Sequence, residues 1–218
     1  MNKLLLLLLP VILSCSGPLN VVKLAPWSSL NNKKPPSLAY YCNVANLTTD
    51  EMAAVEGVLE AGPKKEVIGR FINNQIRFAL RDSGMFSKVF RVDSLKLNNK
   101  RSIVIKKDTV TFNLPAIGTA AVPESDLLLL IDIATVADRI RTSVNTGVIR
   151  TMGMARLVEL QCTFVLMDSK NGTIIYAGKL LSGTKVDGVR ITVDTWYNVV
   201  NDLAGNILKK TVFKRRVY

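Results

Sequence analysis

The sequence predicts an α+β fold, with a mixed sheet of four to five strands and two helices packed on one face of the sheet. Three observations predict it. A long amphipathic helix pattern lies between two strand patterns, three further strand patterns follow, and a second helix pattern comes last. The element order is therefore strand, helix, strand, strand, strand, strand, helix. A helix that connects two neighbouring strands indicates a βαβ unit.

Length and composition exclude several kinds of protein and of site. The chain has 218 residues, of which 48% are hydrophobic and 21% charged. This suffices for one domain with a substantial core and excludes a wholly disordered chain. The sequence contains no His and 3 Cys, which excludes imidazole-dependent catalysis and most zinc sites within the chain. Because the rest of the sequence also lacks a catalytic signature, we expect no enzymatic activity, no cofactor and no metal.

Residues 1–14 have the pattern of a signal peptide, because Lys3 precedes an apolar run that starts at Leu4. The run is too short to cross a bilayer as a helix, which takes about 20 apolar residues. Ile12-Leu13-Ser14-Cys15 resembles the bacterial lipobox, whose cysteine is diacylated before cleavage. The resemblance implies a lipid on Cys15 and anchoring in the bacterial membrane. Cleavage near Ser14 without lipidation is the alternative.

The residue after Cys15 indicates which membrane holds the protein, and the net charge indicates which partners it meets. Ser16 replaces the Asp that, in the sorting rule implied by the same resemblance, favours retention in the inner membrane. We therefore expect the outer membrane, on its periplasmic side. The net charge is +12. An exported basic protein meets anionic lipid head groups and acidic glycans, so we expect no nucleic-acid partner.

The chain is predicted to form a single domain with short flanking segments. Residues 16–37 are rich in Pro and in polar residues, which favours a linker. The predicted organisation is a lipoprotein signal peptide (1–14), a lipidated tether (15–37), an α+β domain (38–212) with an insertion at about 93–125, and a basic tail (213–218).

The first half of the domain contains the clearest helix. Residues 37–47 are rich in aromatic and apolar residues and predict a strand, and a short helix is expected at 50–59. From residue 64 to 83, apolar side chains recur at helical spacing, Gly84 ends the helix, and residues 86–92 form the next strand. The insertion is expected to contain a hairpin over 102–112. Its basic residues Lys100, Arg101, Lys106 and Lys107 are expected to be solvated, with contact to a membrane or a partner as the alternative.

The second half predicts three strands and a helix. Residues 127–136 are apolar almost throughout, which indicates a central strand buried on both faces. Asp132 interrupts this run, and we expect it to pair with a basic residue on a neighbouring strand, with a buried functional acid as the alternative. Residues 156–167 form the next strand, joined to the first by a long hairpin whose tip projects from the sheet. The Asn171-Gly172 turn leads into the third strand, residues 173–181.

The last helix is predicted over 193–212, with Thr192 or Asp194 as its N-cap. Basic residues crowd its end, where cations complement the helix dipole. They are also candidates for contact with an anionic membrane or a protein partner: Lys209, Lys210, Lys214, Arg215 and Arg216.

Few other residues offer chemistry. Cys42 and Cys162 lie in predicted strands, and an oxidising envelope permits a disulfide between them, with two buried free thiols as the alternative. The sequence Ser182-Gly183-Thr184-Lys185 matches the S-x-x-K motif of penicillin-binding proteins. We interpret it as a chance match, because it closes a strand where the motif opens a helix.

The pattern resembles a group of bacterial envelope lipoproteins: the curli-secretion channel lipoprotein, activators of penicillin-binding proteins, and auxiliary lipoproteins of ABC-type transport systems. The residues that carry the resemblance build the fold: Ile68, Ile72, Ile76, Leu80, Ser83-Gly84-Met85-Phe86, Val89, Ser125-Asp126-Leu127-Leu128, Phe164 to Asp168 and Asn171 to Tyr176. It implies a non-catalytic accessory or scaffold protein of an envelope transport or assembly complex, with an envelope protein or a second copy of the chain as partner. The alternative is a binding module for an anionic envelope ligand, either a glycan or a lipid head group.

Overall fold

The structure is a computed structural model that describes residues 20–26, 34–44, 64–116, 124–143, 153–185 and 192–211. In this part of the chain the elements are, in order, β1 (Asn20–Lys23), β2 (Ser37–Asn43), α1 (Lys64–Asp82), β3 (Lys88–Arg91), β4 (Asn99–Ile105), β5 (Asp108–Leu114), β6 (Leu127–Ser143), β7 (Gly153–Asp168), β8 (Ile174–Lys185) and α2 (Val193–Lys210). The predicted helix at 50–59, the signal peptide and the basic tail lie outside the described residues.

The predicted α+β fold is confirmed, with one more strand than expected. The main sheet has six strands in the order β1-β8-β7-β6-β2-β3, and β4 and β5 form a separate two-stranded sheet. Strand β2 runs parallel to both of its neighbours, β3 and β6. The other pairs are antiparallel, so the sheet is mixed. The parallel pair β2 and β3, connected through α1, is the predicted βαβ unit.

The additional strand is β1, which lies inside the predicted tether. Asn20–Lys23 pairs with Tyr176–Lys179 at the edge of the sheet. Val21 packs on one face of the sheet and Val22 on the other, so this segment contributes to both cores. The prediction of a tether over 15–37 is therefore wrong for these residues. A strand of 4 residues is too short for a reliable alternating pattern.

Both helices pack on one face of the sheet, as predicted. Their apolar side chains form one buried cluster with residues of β2, β6, β7 and β8. On α1 these are Ile68, Ile72, Ile76 and Leu80, spaced by four residues. Between the helices, the rings of Phe71 and Tyr197 meet edge to face, with centroids 5.3 Å apart. The helix of 193–212 ends at Lys210, and Thr192 is its N-cap, within a capping box.

The other face of the sheet is covered by the β4–β5 hairpin. We call it the hairpin face. Ile103, Ile105, Phe112 and Leu114 of the hairpin are buried against apolar side chains of the sheet. The insertion does contain the predicted hairpin, but the hairpin is a third layer of the domain with a core of its own. An alternating strand shows that one face is apolar and does not show what that face packs against.

The two longest strands form the predicted long hairpin. Strand β6 pairs with β2 only as far as Asp132, but with β7 as far as Ser143. Pairing between β7 and β8 starts at Leu157. Within the described residues, Ile140–Ser143 and Gly153–Arg156 therefore pair only with each other. They form a two-stranded ribbon at the end of the sheet where β6 and β8 finish.

Candidate functional site

A row of polar side chains crosses the hairpin face of the sheet. Asn43, Asp132, Thr163, Lys179 and Asn20 are successive cross-strand partners on β2, β6, β7, β8 and β1. Directly opposed residues in a sheet project from the same face. The apolar row next to it on this face lies under the hairpin. The polar row therefore marks the border of the second core.

A small cleft opens where this row meets β5. Its volume is about 50 Å³. Pockets for drug-sized ligands enclose about 300–1,000 Å³. The cleft therefore suits a water molecule or the end of one side chain and is too small for a sugar ring or a nucleotide. Its lining includes Tyr41, Asn43, Phe112, Asn113, Asp132 and Thr163.

Asp132 is the ionisable group of the cleft. The Nδ2 of Asn43 donates a hydrogen bond to Oδ1 of Asp132 at 3.1 Å. Burial raises the pKa of Asp132 above its usual value, and the hydrogen bond from Asn43 opposes this effect. The predicted basic partner on a neighbouring strand is wrong, because the position opposite Asp132 on β2 is an amide and the position on β7 is Thr163. A neutral amide offsets the burial of a carboxylate less than a cation does.

Lys179 connects the row to the turn of the hairpin. Its Nζ lies 3.8 Å from Oδ2 of Asp108, the first residue of β5. The preceding turn contains Lys106, whose φ is 58°. The neighbouring Asn20 has a buried Oδ1 without a hydrogen-bond partner. The turn of the hairpin therefore lies at the edge of the sheet formed by β8 and β1.

A second polar cluster joins the starts of β2 and β6. Oδ2 of Asp126 accepts hydrogen bonds from the backbone N–H and from the hydroxyl of Ser37, both at 2.9 Å. Lys170 Nζ lies 3.5 Å from Oδ1 of the same carboxylate. The pKa of Asp126 is lowered, mainly by the backbone hydrogen bond from Ser37. Asp126 is one of the residues that carry the resemblance, but its pairing with Ser37, 89 positions away, has no signal in the sequence. The contacts make it a structural group.

Cys42 and Cys162 are buried and free. Strand β6 lies between them: Cys42 is opposite Ile131, and Cys162 is opposite Ile133. Two strand spacings of about 4.8 Å put their Cα atoms well beyond the ~7 Å that a disulfide allows. The disulfide is therefore excluded in this fold, and the alternative of two free thiols holds. Burial raises the pKa of Cys42 to about 12 and that of Cys162 well above its usual value, which makes both thiols poor nucleophiles.

Ser182 is buried under α2. Its side chain is 1% exposed, and its hydroxyl donates to the backbone carbonyl of Val199 at 3.0 Å. A catalytic serine needs an accessible Oγ and a neighbouring base. The S-x-x-K match over 182–185 is therefore structural, and Ser182 joins β8 to α2.

Other predicted site residues lie at the ends of the chain. Lys209 and Lys210 are exposed in the last turn of α2, where their charges complement the helix dipole. Cys15, Lys214, Arg215 and Arg216 lie outside the described residues. In the described ranges, no group of His, Cys, Asp and Glu is arranged to hold a metal ion. No helix among these residues is both long and apolar enough to cross a membrane.

The chain has distant structural neighbours among bacterial proteins. The PelC dodecamer from Paraburkholderia phytofirmans matches with a TM-score of 0.42 and 11% identity, over 88% of this chain and 96% of that one. A protein from Xanthomonas campestris matches with a TM-score of 0.43 and 10% identity, over 81% of this chain and 83% of that one. A minor lipoprotein from Acinetobacter baumannii matches with a TM-score of 0.36 and 11% identity, over 80% and 90% of the two chains.

No model of a known protein family matches the sequence, and no curated protein matches it. The structural neighbours have too few identical residues to transfer a functional site to this chain.

Proposed function

We propose that this protein is a lipid-anchored, non-catalytic component of a bacterial cell envelope, held in the outer membrane by acyl chains on Cys15. In this role the α+β domain is an accessory or scaffold for a transport or assembly complex. The observation that carries the proposal is the order of Lys3, the apolar run and Ile12-Leu13-Ser14-Cys15 at the start of the chain.

The size of the cleft beside Asp132 and the burial of Ser182 favour a docking role over a catalytic one. The cleft beside Asp132 has a volume of about 50 Å³, which leaves no room for an extended substrate. The serine of the one catalytic motif match, Ser182, is buried and bonded to Val199. A protein of this kind acts through its surfaces and through its position at the membrane.

Lipid attachment is tested by replacing Cys15 in the full chain. Cells expressing the wild-type chain and Cys15→Ala are extracted with Triton X-114, with and without globomycin, and the mature N-terminus is examined by mass spectrometry. We expect the wild-type protein in the detergent phase with acyl chains on Cys15, and the variant in the aqueous phase. An unmodified N-terminus on a wild-type protein found in the cytosol would refute the proposal.

The docking role is tested in native membranes. Cross-linking followed by purification of the anchored chain should capture either an envelope protein or a second copy of the chain. Ser182→Ala is the control variant, and it tests the alternative that Ser182 is a catalytic nucleophile. If the protein acts by docking, the variant should give the same cross-linked species as the wild-type chain. Loss of an envelope hydrolase activity in Ser182→Ala would contradict the non-catalytic role.

A further inference from the structure

The sheet edge formed by β1 and the hairpin turn combines exposed apolar and basic side chains. Leu24 is 42% exposed and Val104 is 61% exposed, although both are large apolar residues. Lys23, Lys106 and Lys107 are exposed beside them in the chain. We call these five residues the β1-edge surface.

The contacts of the hairpin place its turn at the edge of the sheet that β1 forms. Strand β4 packs against both β1 and β8. Asp108, next to Lys107, lies 3.8 Å from Lys179, and Lys179 is the cross-strand partner of Asn20. The turn that carries Lys106 and Lys107 therefore lies beside the beginning of β1.

The chain length between Cys15 and β1 limits the distance from the anchor to this edge. Cys15 is five positions before Asn20. Five residues span at most about 18 Å even when fully extended. A tether that ended at residue 37 would have allowed the domain any orientation. A tether that ends at Asn20 holds the β1 edge close to the bilayer.

We propose that the β1-edge surface rests on the anionic lipid head groups of the membrane that holds the anchor. This inference rests on the proposed lipidation of Cys15. Leu24 and Val104 enter the interfacial region, and Lys23, Lys106 and Lys107 bind head-group phosphates. The opposite edge, β3, lies five strand spacings away, about 24 Å at ~4.8 Å per spacing, and faces away from the membrane.

The charge of the edge has the sign and position that an anionic surface selects. The field of the head groups decays over about 8–10 Å, so its attraction for the lysines acts only when this edge faces the bilayer. Each lysine close to such a surface changes the binding constant about fivefold, which corresponds to ~1 kcal/mol. Replacing Lys106 and Lys107 by Gln should thus reduce the ratio of docked to undocked orientations by about 25-fold.

The orientation is measured with the lipidated full chain in vesicles of phosphatidylcholine and phosphatidylglycerol. A fluorophore is attached to Val104→Cys on the proposed surface or to Lys88→Cys on β3. The head groups carry an acceptor whose energy-transfer distance is shorter than the ~24 Å between the two edges of the sheet. Cys42 and Cys162 are buried and do not compete for the label. We expect loss of most of the donor emission at position 104 and of little at position 88. Equal losses at the two positions would overturn the proposal.

The chemistry of the contact is tested with two matched pairs of substitutions. Lys106→Gln/Lys107→Gln should remove the difference between the two labelled positions, as should vesicles of phosphatidylcholine alone. Lys209→Gln/Lys210→Gln removes the same charge from the end of α2 and should leave the difference intact. The opposite result would assign the contact to α2. Flotation of the vesicles distinguishes failure of the proposed lipidation of Cys15 from failure of the proposed orientation. A chain without lipid does not float with the vesicles, whereas an anchored chain in another orientation does.

Discussion

Asp132 shows how a single residue can oppose the stability of its fold. It lies half-buried on a central strand, and its hydrogen-bond donor, Asn43, is neutral. Burial raises its pKa, because the charged carboxylate loses water that the amide replaces only in part. A raised pKa in the folded state means that the group lowers stability when it is ionised.

We expect Asp132→Asn to increase the free energy of unfolding at neutral pH. A carboxyl with a raised folded pKa contributes no penalty below its unfolded pKa of about 3.9, and the penalty develops as pH rises through the folded pKa. Urea unfolding at pH 7 and at pH 3.5 measures this difference. The gain should be present at pH 7 and absent at pH 3.5. A gain of the same size at both pH values would contradict the account.

Asp126→Asn is the matched control, because the pKa of Asp126 is shifted in the opposite direction. A group with a lowered folded pKa stabilises the fold above its unfolded pKa, and this contribution is lost as pH falls through the folded pKa. The same substitution should therefore reduce stability at pH 7.

The strand and the buried setting of Asp132 could be predicted from the sequence, but its partner could not. The apolar run from residue 127 indicates a central strand, whereas the pairing with Asn43 depends on the order of strands in the sheet. The same holds for Cys42 and Cys162, since only the strand order shows that β6 separates them. Sequence patterns report the local environment of a side chain, and contacts between distant segments require the topology.

The helices and strands with a long periodic pattern could be predicted from the sequence, whereas the short strand β1 could not. Helix α1 has buried isoleucines at every fourth position, and α2 begins with a capping threonine. Strand β1 has only 4 residues. Strand β6 can be predicted only over its first part, because Asp138, Arg139 and Arg141 end its apolar pattern. Strand β7 can be predicted from Arg156, and the structure adds Gly153, Met154 and Ala155 at its start.

The pairing of β7 with β8 depends on a glycine that lies under an aromatic ring. Gly178 is the cross-strand partner of Phe164, which is buried against the helices. A Cβ at position 178 would lie 2.3 Å from Cε1 of the Phe164 ring. The ring covers the backbone that the glycine leaves open.

We expect Gly178→Ala to lower the free energy of unfolding by about 1–3 kcal/mol, because the buried ring or the strand must move. Gly205→Ala in α2 is the control, since no described atom outside the adjoining helix backbone lies within 4 Å of a Cβ placed there. In a helix interior this change should raise stability by about 1 kcal/mol. Thermal unfolding of both variants measures whether each substitution lowers or raises the stability relative to the wild-type chain. Equal stability of Gly178→Ala and the wild-type chain would show that Phe164 adapts without cost.

At the scale of the whole molecule, one sheet supports two cores. The helices cover one face and the β4–β5 hairpin covers the other. The sequence indicates the first core through its helical periodicity. The second core could not be predicted, because each hairpin strand has an exposed and a buried side and its partner surface is contributed by distant strands. The lining of the cleft follows from this layer, since β5 provides Phe112 and Asn113.

The shared sheet predicts that the two cores unfold together. Ile105 on the hairpin is 1% exposed and Ile76 on α1 is 0% exposed. Truncating either to Ala should cost about 2–5 kcal/mol, because each leaves a cavity against the same strands. Val104→Ala is the control, as this neighbour of Ile105 is largely exposed and should change stability little.

Urea unfolding followed by the fluorescence of Trp196 measures this coupling, because Trp196 lies in the helix-side core, on the opposite face from Ile105. The other tryptophan of the chain, Trp27, is replaced by Phe in every protein compared, so that Trp196 is the only reporter. A single transition that shifts to lower urea in both Ile76→Ala and Ile105→Ala is expected. The reason is that loss of the hairpin exposes the apolar rows on one face of the strands whose other face supports the helices. If Ile105→Ala leaves the midpoint of the tryptophan transition unchanged, the hairpin unfolds independently of the helices and the sheet. The two cores would then be separate cooperative units.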